Sequence, residues 1–188
     1  MRSSTTSNQE IMPLITGLLN ELCRLRREFF VMEALFSDTM RADLLFQKAP
    51  LVYNTIQRSL IDSMIVSVGR IMDDDRNSIT AHRLLSLLPN NPQTRADVES
   101  AQAFFDRLRS KYLELKPLRN KHIAHKDYKH NAHAPGVKYK GASHDDIQEI
   151  VDGFDIFLKH CQKVIGFTID LDEPMREKYI AEVQRLIS

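Results

Sequence analysis

"VYNTIQRSLIDSMIVSVGRI", residues 52–71, is the stretch whose pattern decides the fold class. Val52, Ile56, Leu60, Met64, Val68 and Ile71 recur every three or four positions, the spacing that stacks side chains on one face of an α-helix. Pro50, just upstream, suits the first turn of such a helix, and "DDDRN" (73–77) marks its end. The same period continues on both sides. Leu14, Leu18, Leu22, Leu25 and Phe29 predict a long first helix from about Ile11 to beyond Glu33. Ser78 or Thr80 can cap a short helix through Leu88, closed by Pro89 and Pro92. A further helix is predicted over about Thr94 to Leu115, buried through Val98, Ala101, Phe105, Leu108 and Tyr112.

Beyond Pro117, which either kinks that helix or opens a new one, residues 129–142 contain Pro135, Gly136 and Gly141 and read as a basic loop. "SHDD" (143–146) resembles a capping box with Ser143 as the cap. Ile147, Val151, Phe154, Leu158, Cys161 and Ile165 then restore the stripe, and a last helix is expected over about Pro174 to Ile187. With six glycines, no Asn-Gly turn and no sustained period-2 alternation, nothing calls for a sheet. The expectation is an all-α, up-and-down bundle of about six helices, led by a long N-terminal one. It would form a single domain over 1–188, with 1–9 as a flexible tail.

A chain of 188 residues, 43% hydrophobic and 27% charged, has the size and balance of one soluble globular core. No apolar run approaches the ~20 residues a membrane span needs. Asn8, Gln9 and Glu10 stand where a signal peptide would place its apolar segment. Two cysteines far apart, Cys23 and Cys161, make no disulfide framework. Together these features point to a cytoplasmic protein with no membrane insertion.

The formal net charge of +1 conceals an asymmetry. Residues 107–140 hold ten Lys and Arg against two acids, Glu114 and Asp127, a net of +8, whereas residues 141–188 hold five basic and ten acidic residues, a net of −5. A basic segment of this density attracts phosphate.

Its centre is "LKPLRNKHIAHKDYKHNAH" (115–133). On a helix, Arg119, His122 and His125 fall in one stripe about 120° wide, while Leu115, Leu118 and Ile123 can supply the buried side. Lys121, Lys126, Lys129 and Lys138 surround the trio, and Tyr112, Tyr128 and Tyr139 are interleaved with them. Cations and aromatic rings together suit phosphates and unstacked bases. Histidine titrates near neutrality and can take a proton, and neighbouring cations favour its neutral form. Arginine stays charged and can steady a developing phosphorane with a forked pair of donors. These residue types also occur at ordinary helix ends, where cations favour the C-terminal dipole and solvent, so on their own they leave a structural reading open beside the catalytic one.

"RNKHIAH" (119–125) resembles the signature of the HEPN superfamily, an Arg often followed by a polar residue and then a His after four to six intervening positions. Asn120 follows Arg119 here, and five residues separate Arg119 from His125. "LKPLRNKHIAHKD" and the earlier "SLIDSMIVSVGRIMDDD" (59–75) are similar to the abortive-infection, AbiU2-like subgroup. The resemblance covers most of the chain after the first long helix. It implies a helical bundle, often a homodimer with two Arg–His pairs in one composite cleft. It also implies metal-independent RNA cleavage in phage-defence or toxin–antitoxin systems, with no cofactor. By carry-over, Arg119 and His125 are the catalytic pair and Asn120 supports their geometry, with His122 a further candidate. Lys121, Lys126, Tyr128 and Lys129 would bind RNA. An antitoxin protein is an implied partner. Some superfamily toxins carry, two residues after the His, a Tyr that is modified by their antitoxin. Asp127 stands there in this chain, and Tyr128 comes one later, so that form of control is not expected. Some HEPN domains only bind, and a non-catalytic RNA-, nucleotide- or protein-binding module is the alternative reading.

Other clusters carry less. Zinc needs three or four converging ligands, whereas His122-x-x-His125 and His130-x-x-His133, with His144, have no cysteine nearby and the second pair falls in a loop of unknown geometry, so no metal site is expected. The run Asp73–Asp75 reads as a solvated helix end in which Asp73 or Asp74 can pair with Arg70. His82 and His160 are expected to be half-buried structural residues. No glycine-rich phosphate loop and no Ser or Cys nucleophile signature is present.

Overall fold

The computed structural model describes residues 5–75, 77–117, 144–168 and 174–187. All seven described elements are α-helices: α1 (Thr5–Phe36), α2 (Thr39–Lys48), α3 (Pro50–Met72), α4 (Ala81–Leu87), α5 (Arg95–Pro117), α6 (His144–Ile165) and α7 (Pro174–Ile187). The protein is an all-α bundle.

Each boundary has a local cause. Pro50 occupies the first turn of α3, where its missing N–H is no loss. Thr80, and not Ser78, caps α4, its hydroxyl accepting from Arg83 N at 3.2 Å. Before α5, the Asn91 side chain accepts from Gln93 N at 2.9 Å and Thr94 N at 3.1 Å, turning the chain out of the proline-bounded loop. α6 opens with Asp145 and Asp146 against its positive end. It closes at Gly166, whose φ of +71° lets its N–H reach Lys163 O and the next N–H reach Gln162 O. That double bond satisfies carbonyls the helix would otherwise leave open. The expected Ser143 cap and the expected kink or restart after Pro117 lie outside the described residues.

Two boundaries differ from the sequence expectation. α1 begins at Thr5 instead of near Ile11; Gln9 and Glu10 are exposed, so this turn carries no apolar period to read. The region after Phe36 is not a simple tail of the first helix, because a separate helix, α2, is inserted before α3. Asp38 caps it, accepting from Arg41 N at 3.1 Å, and the Arg41 guanidinium donates to Ala34 O at the end of α1. One side chain thereby closes α1 while its backbone opens α2.

The core unites Leu18, Leu22, Leu25 and Phe29 of α1, Met64, Val68 and Ile71 of α3, Phe105 and Leu108 of α5, and Phe154, Phe157 and Cys161 of α6. α5 and α6 make the most extensive pairing, and α1 packs against α3, α6 and α7. Partners along α5 and α6 run in opposite senses: Asp97 meets His160, Phe105 meets Phe157, and Arg107 meets Glu149. α1 and α3 are antiparallel by the same test, with Glu21, Arg24 and Glu28 facing Arg70, Ser67 and Ser63.

That second seam is polar. Arg24 donates to Ser67 Oγ at 2.7 Å, Ser67 donates to Ser63 O at 2.9 Å, and Ser63 donates to Glu28 at 2.8 Å. Ser67 is fully buried and its hydroxyl donates within α3, while the Arg24–Ser67 and Ser63–Glu28 bonds cross the seam and hold α1 and α3 in one register, since a slip would break both. Arg70, read from the sequence as a partner of the aspartates one turn on, lies 3.8 Å from Glu21, while Asp74 accepts from Arg109 of α5 at 3.3 Å.

Candidate functional site

The candidate residues Arg119, Asn120, Lys121, His122, His125, Lys126, Tyr128 and Lys129 all lie outside the described residues. What the structure describes is the pair of helices from which that segment departs and to which it returns, α5 at Pro117 and α6 at His144.

Both helices are anchored close to these points. Tyr112 and Leu115 are buried on the last turns of α5, and Ile147, Ile150 and Val151 on the first turns of α6. The His144 ring lies 4.8 Å, centroid to centroid, from Phe29 of α1. The two ends therefore stand on rigid, packed helix, which is the kind of support a site needs if its geometry is to persist.

Burial corrects one reading. Tyr112 was counted both in the α5 apolar stripe and among the aromatics offered to bases; it is only 3% exposed. Its ring belongs to the core and has no face for a nucleobase. Leu115 takes the buried role expected of it.

Electrostatics corrects a second. Three of the ten cations counted in 107–140 are engaged along α5. Arg107 donates to Glu149 through Nε at 3.1 Å and Nη2 at 2.7 Å. Lys111 lies 3.0 Å from Glu149 and 3.8 Å from Asp146, and Arg109 reaches Asp74. Arg107, then Lys111, hold the Glu149 carboxyl below its ordinary pKa. Glu149 in turn, by its hydrogen bond and its charge, raises Lys111 above the usual ammonium value. The basic character at the start of this segment is thus largely balanced by Glu149 and Asp146 of α6 and by Asp74 beyond α3.

An open groove of about 470 Å³ runs between the two helices over these ion pairs, floored by Phe104, Leu108, Gly153 and Ile156. Neither the groove nor the Arg107–Glu149 pair was foreseen, since the paired residues are 42 positions apart. His160 and His82 are structural, as expected: His160 stacks on Phe104 beside Asp97, and His82 packs against Phe105. Cys161 is buried, and burial pushes its thiol up to about 12, so it is no nucleophile. Among the described residues no group of three or more His, Cys, Asp or Glu is placed to hold a metal ion. Among them, too, no helix is long and apolar enough to cross a membrane.

The resemblance to HEPN domains implied a helical bundle, and the described residues form one. The comparison with family models bears it out: the AbiU2 model matches residues 9–186, and the chain belongs to this HEPN family. No curated protein and no solved structure matches it.

Proposed function

We propose that this chain is a metal-independent endoribonuclease acting in phage defence or as the toxin of a toxin–antitoxin system. The observation that carries the proposal is the AbiU2 match across 9–186 together with Arg119 and His125 at the spacing of the superfamily motif. The firm anchoring of α5 and α6 on either side supports it.

The chemistry follows from the residue types. His125, neutral among its cationic neighbours, takes the proton from a ribose 2′-hydroxyl. The freed oxygen attacks the adjacent phosphorus, and the bond to the 5′-oxygen of the next nucleotide breaks. Arg119 neutralises the charge that builds on the phosphoryl oxygens. The leaving oxygen takes up a proton, from water or from the imidazolium just formed, giving a 2′,3′-cyclic phosphate and a 5′-hydroxyl. Asn120 steadies the pair, His122 is a second group for proton transfer or base contact, and Lys121, Lys126, Tyr128 and Lys129 hold the RNA. In the full reading two copies share one composite cleft in the cytoplasm, and an antitoxin protein restrains them.

The second reading, a module that binds RNA, nucleotide or protein without cutting, draws on the balanced charges of α5. With Arg107, Arg109 and Lys111 already paired, less free positive charge is left to grip a long RNA backbone, which within this reading favours a nucleotide or a protein as the bound partner. EDTA-treated protein incubated with end-labelled RNA separates the two. Fragments ending in cyclic phosphate support the nuclease, and a shifted but intact RNA supports the binder.

A further inference from the structure

The residues lining the groove between α5 and α6 recur every three or four positions, from Phe104 to Lys111 on α5 and from Asp145 to Ile156 on α6. The groove therefore runs along the helix axes, for about 16 Å on the α6 side. Its two ends differ. Phe104 stands at the Ile156 end, beside the Phe105–Phe157 pair, and Lys111 stands over the first turns of α6. Towards Ile156 the floor is apolar: Phe104, Leu108 and Ile156 surround Gly153, which has no side chain to fill the space, and Ile156 is 38% exposed.

Towards Asp145 the groove is acidic. Glu149 engages both Arg107 and Lys111, Asp146 reaches Lys111, and the charge of Glu114 acts on the same ammonium. Asp145 and Asp152 are exposed beyond these pairs, and Asp152 accepts from the uncharged Gln148 amide at 2.9 Å. Two cations, Arg107 and Lys111, thus face five carboxylates, those of Glu114, Asp145, Asp146, Glu149 and Asp152, a net of −3 among the described residues.

We infer that this groove docks an amphipathic, basic helix of another protein. Two apolar side chains of that helix, one turn apart, seat over Leu108 and Gly153. Lys or Arg residues further along it meet Asp152 and Asp145, which stand about two turns apart on α6. Charge complementarity selects this occupant. The acidic excess repels a phosphate backbone. A small molecule is held by burying most of its surface, which a groove open along its length does not do. A helix laid lengthwise meets both lining stripes turn by turn, its apolar face on the floor and its basic residues at the acidic end. The inference goes beyond the proposed function and does not depend on it, since a nuclease and a non-cutting module would present the same groove.

Fluorescence anisotropy of the full chain with a synthetic helix as probe tests it. The probe is a labelled, alanine-based peptide of about twenty residues, with two leucines one turn apart and lysines on the turns beyond; its counterpart carries glutamates in place of the lysines. The lysine peptide should bind at least about tenfold more tightly than the glutamate peptide, and the difference should shrink at high salt. Ile156→Asn should weaken the lysine peptide by about fivefold or more, while Leu113→Glu, at an exposed apolar position outside the groove, should leave it unchanged. Asp152→Lys should lose affinity for the lysine peptide and gain it for the glutamate peptide, which a folding defect would not do. Equal affinity for the two peptides, no measurable binding of either, or lysine-peptide binding that Ile156→Asn leaves intact would overturn the inference. RNA binding that falls with Ile156→Asn would overturn it by assigning the groove to nucleic acid, and a dimer that Ile156→Asn dissociates would do so by assigning it to a second copy.

Discussion

Leu108 Cδ2 stands 2.7 Å from the point that a Cβ on Gly153 would occupy. α5 and α6 approach this closely because position 153 has no side chain, and Leu108 is itself buried and cannot swing into solvent. The most extensively packed pair among the described helices is also the pair that flanks the Arg119–His125 segment in sequence.

Gly153→Ala should therefore destabilise the fold. Overpacking a filled core costs about 1–3 kcal/mol, and the better helix propensity of alanine returns about 1 kcal/mol. A net loss of roughly 1 kcal/mol should appear in urea unfolding, with lowered RNA cleavage if the separation of α5 and α6 sets the site. An unchanged or raised midpoint would show that Leu108 yields at no cost.

Tyr112 and Tyr128 should respond in opposite ways. Tyr112→Ala empties a core position and should cost about 3–5 kcal/mol of stability. It should leave the RNA affinity of the folded fraction unchanged. Tyr128→Ala, at a position assigned to base stacking, should leave the melting temperature alone and weaken RNA binding by about 1–3 kcal/mol. Thermal melts paired with filter binding read both.

The Arg107–Glu149–Lys111 cluster carries a pH signature. Because Glu149 is held below its ordinary pKa, its contribution is complete above that ordinary value and is lost as pH falls through the lowered one. Lys111 is raised, so its share is complete below the ordinary lysine value and is lost as pH rises through the raised one. Glu149→Gln should lower the melting temperature at neutral pH, and the gap to wild type should close in acid and shrink at high salt. A gap that stays constant from neutral pH into acid would contradict the assignment.

Cys161 should be silent towards a maleimide in the native protein at pH 8, since its thiol is buried and pushed up to about 12. It should label only as the chain unfolds. Rapid native labelling at Cys161, located by peptide mapping, would mean that the centre of α6 opens locally.

How much of this was legible in the sequence can be followed residue by residue. α3 was readable because Pro50 marks its start and Val68 and Ile71 continue an unbroken stripe into the core. α2 was not, because it buries only Leu45 and turns Met40 and Leu44 outward, so the period that signals a core helix is reversed there. Its cap, Asp38, was the available sign. Tyr112 was doubly assigned because one letter serves both as a base-stacking ring and as a core ring. Its place in the series Phe105, Leu108, Tyr112, Leu115 was the deciding clue. The ion pairs of α5 join residues brought together only by folding, so a count of charges along the chain overstates the free positive surface. Arg119 and His125 were legible by spacing and resemblance alone.

The most direct test of the central claim is cleavage of a 5′-labelled RNA in excess EDTA by the wild type, Arg119→Ala and His125→Ala, with thermal unfolding followed in parallel. Wild-type protein should give fragments ending in 2′,3′-cyclic phosphate, and each substitution should reduce the rate by at least about a hundredfold with little change in melting temperature. Cleavage by His125→Ala at the wild-type rate, or a wild type that binds RNA and leaves it whole, would contradict the account.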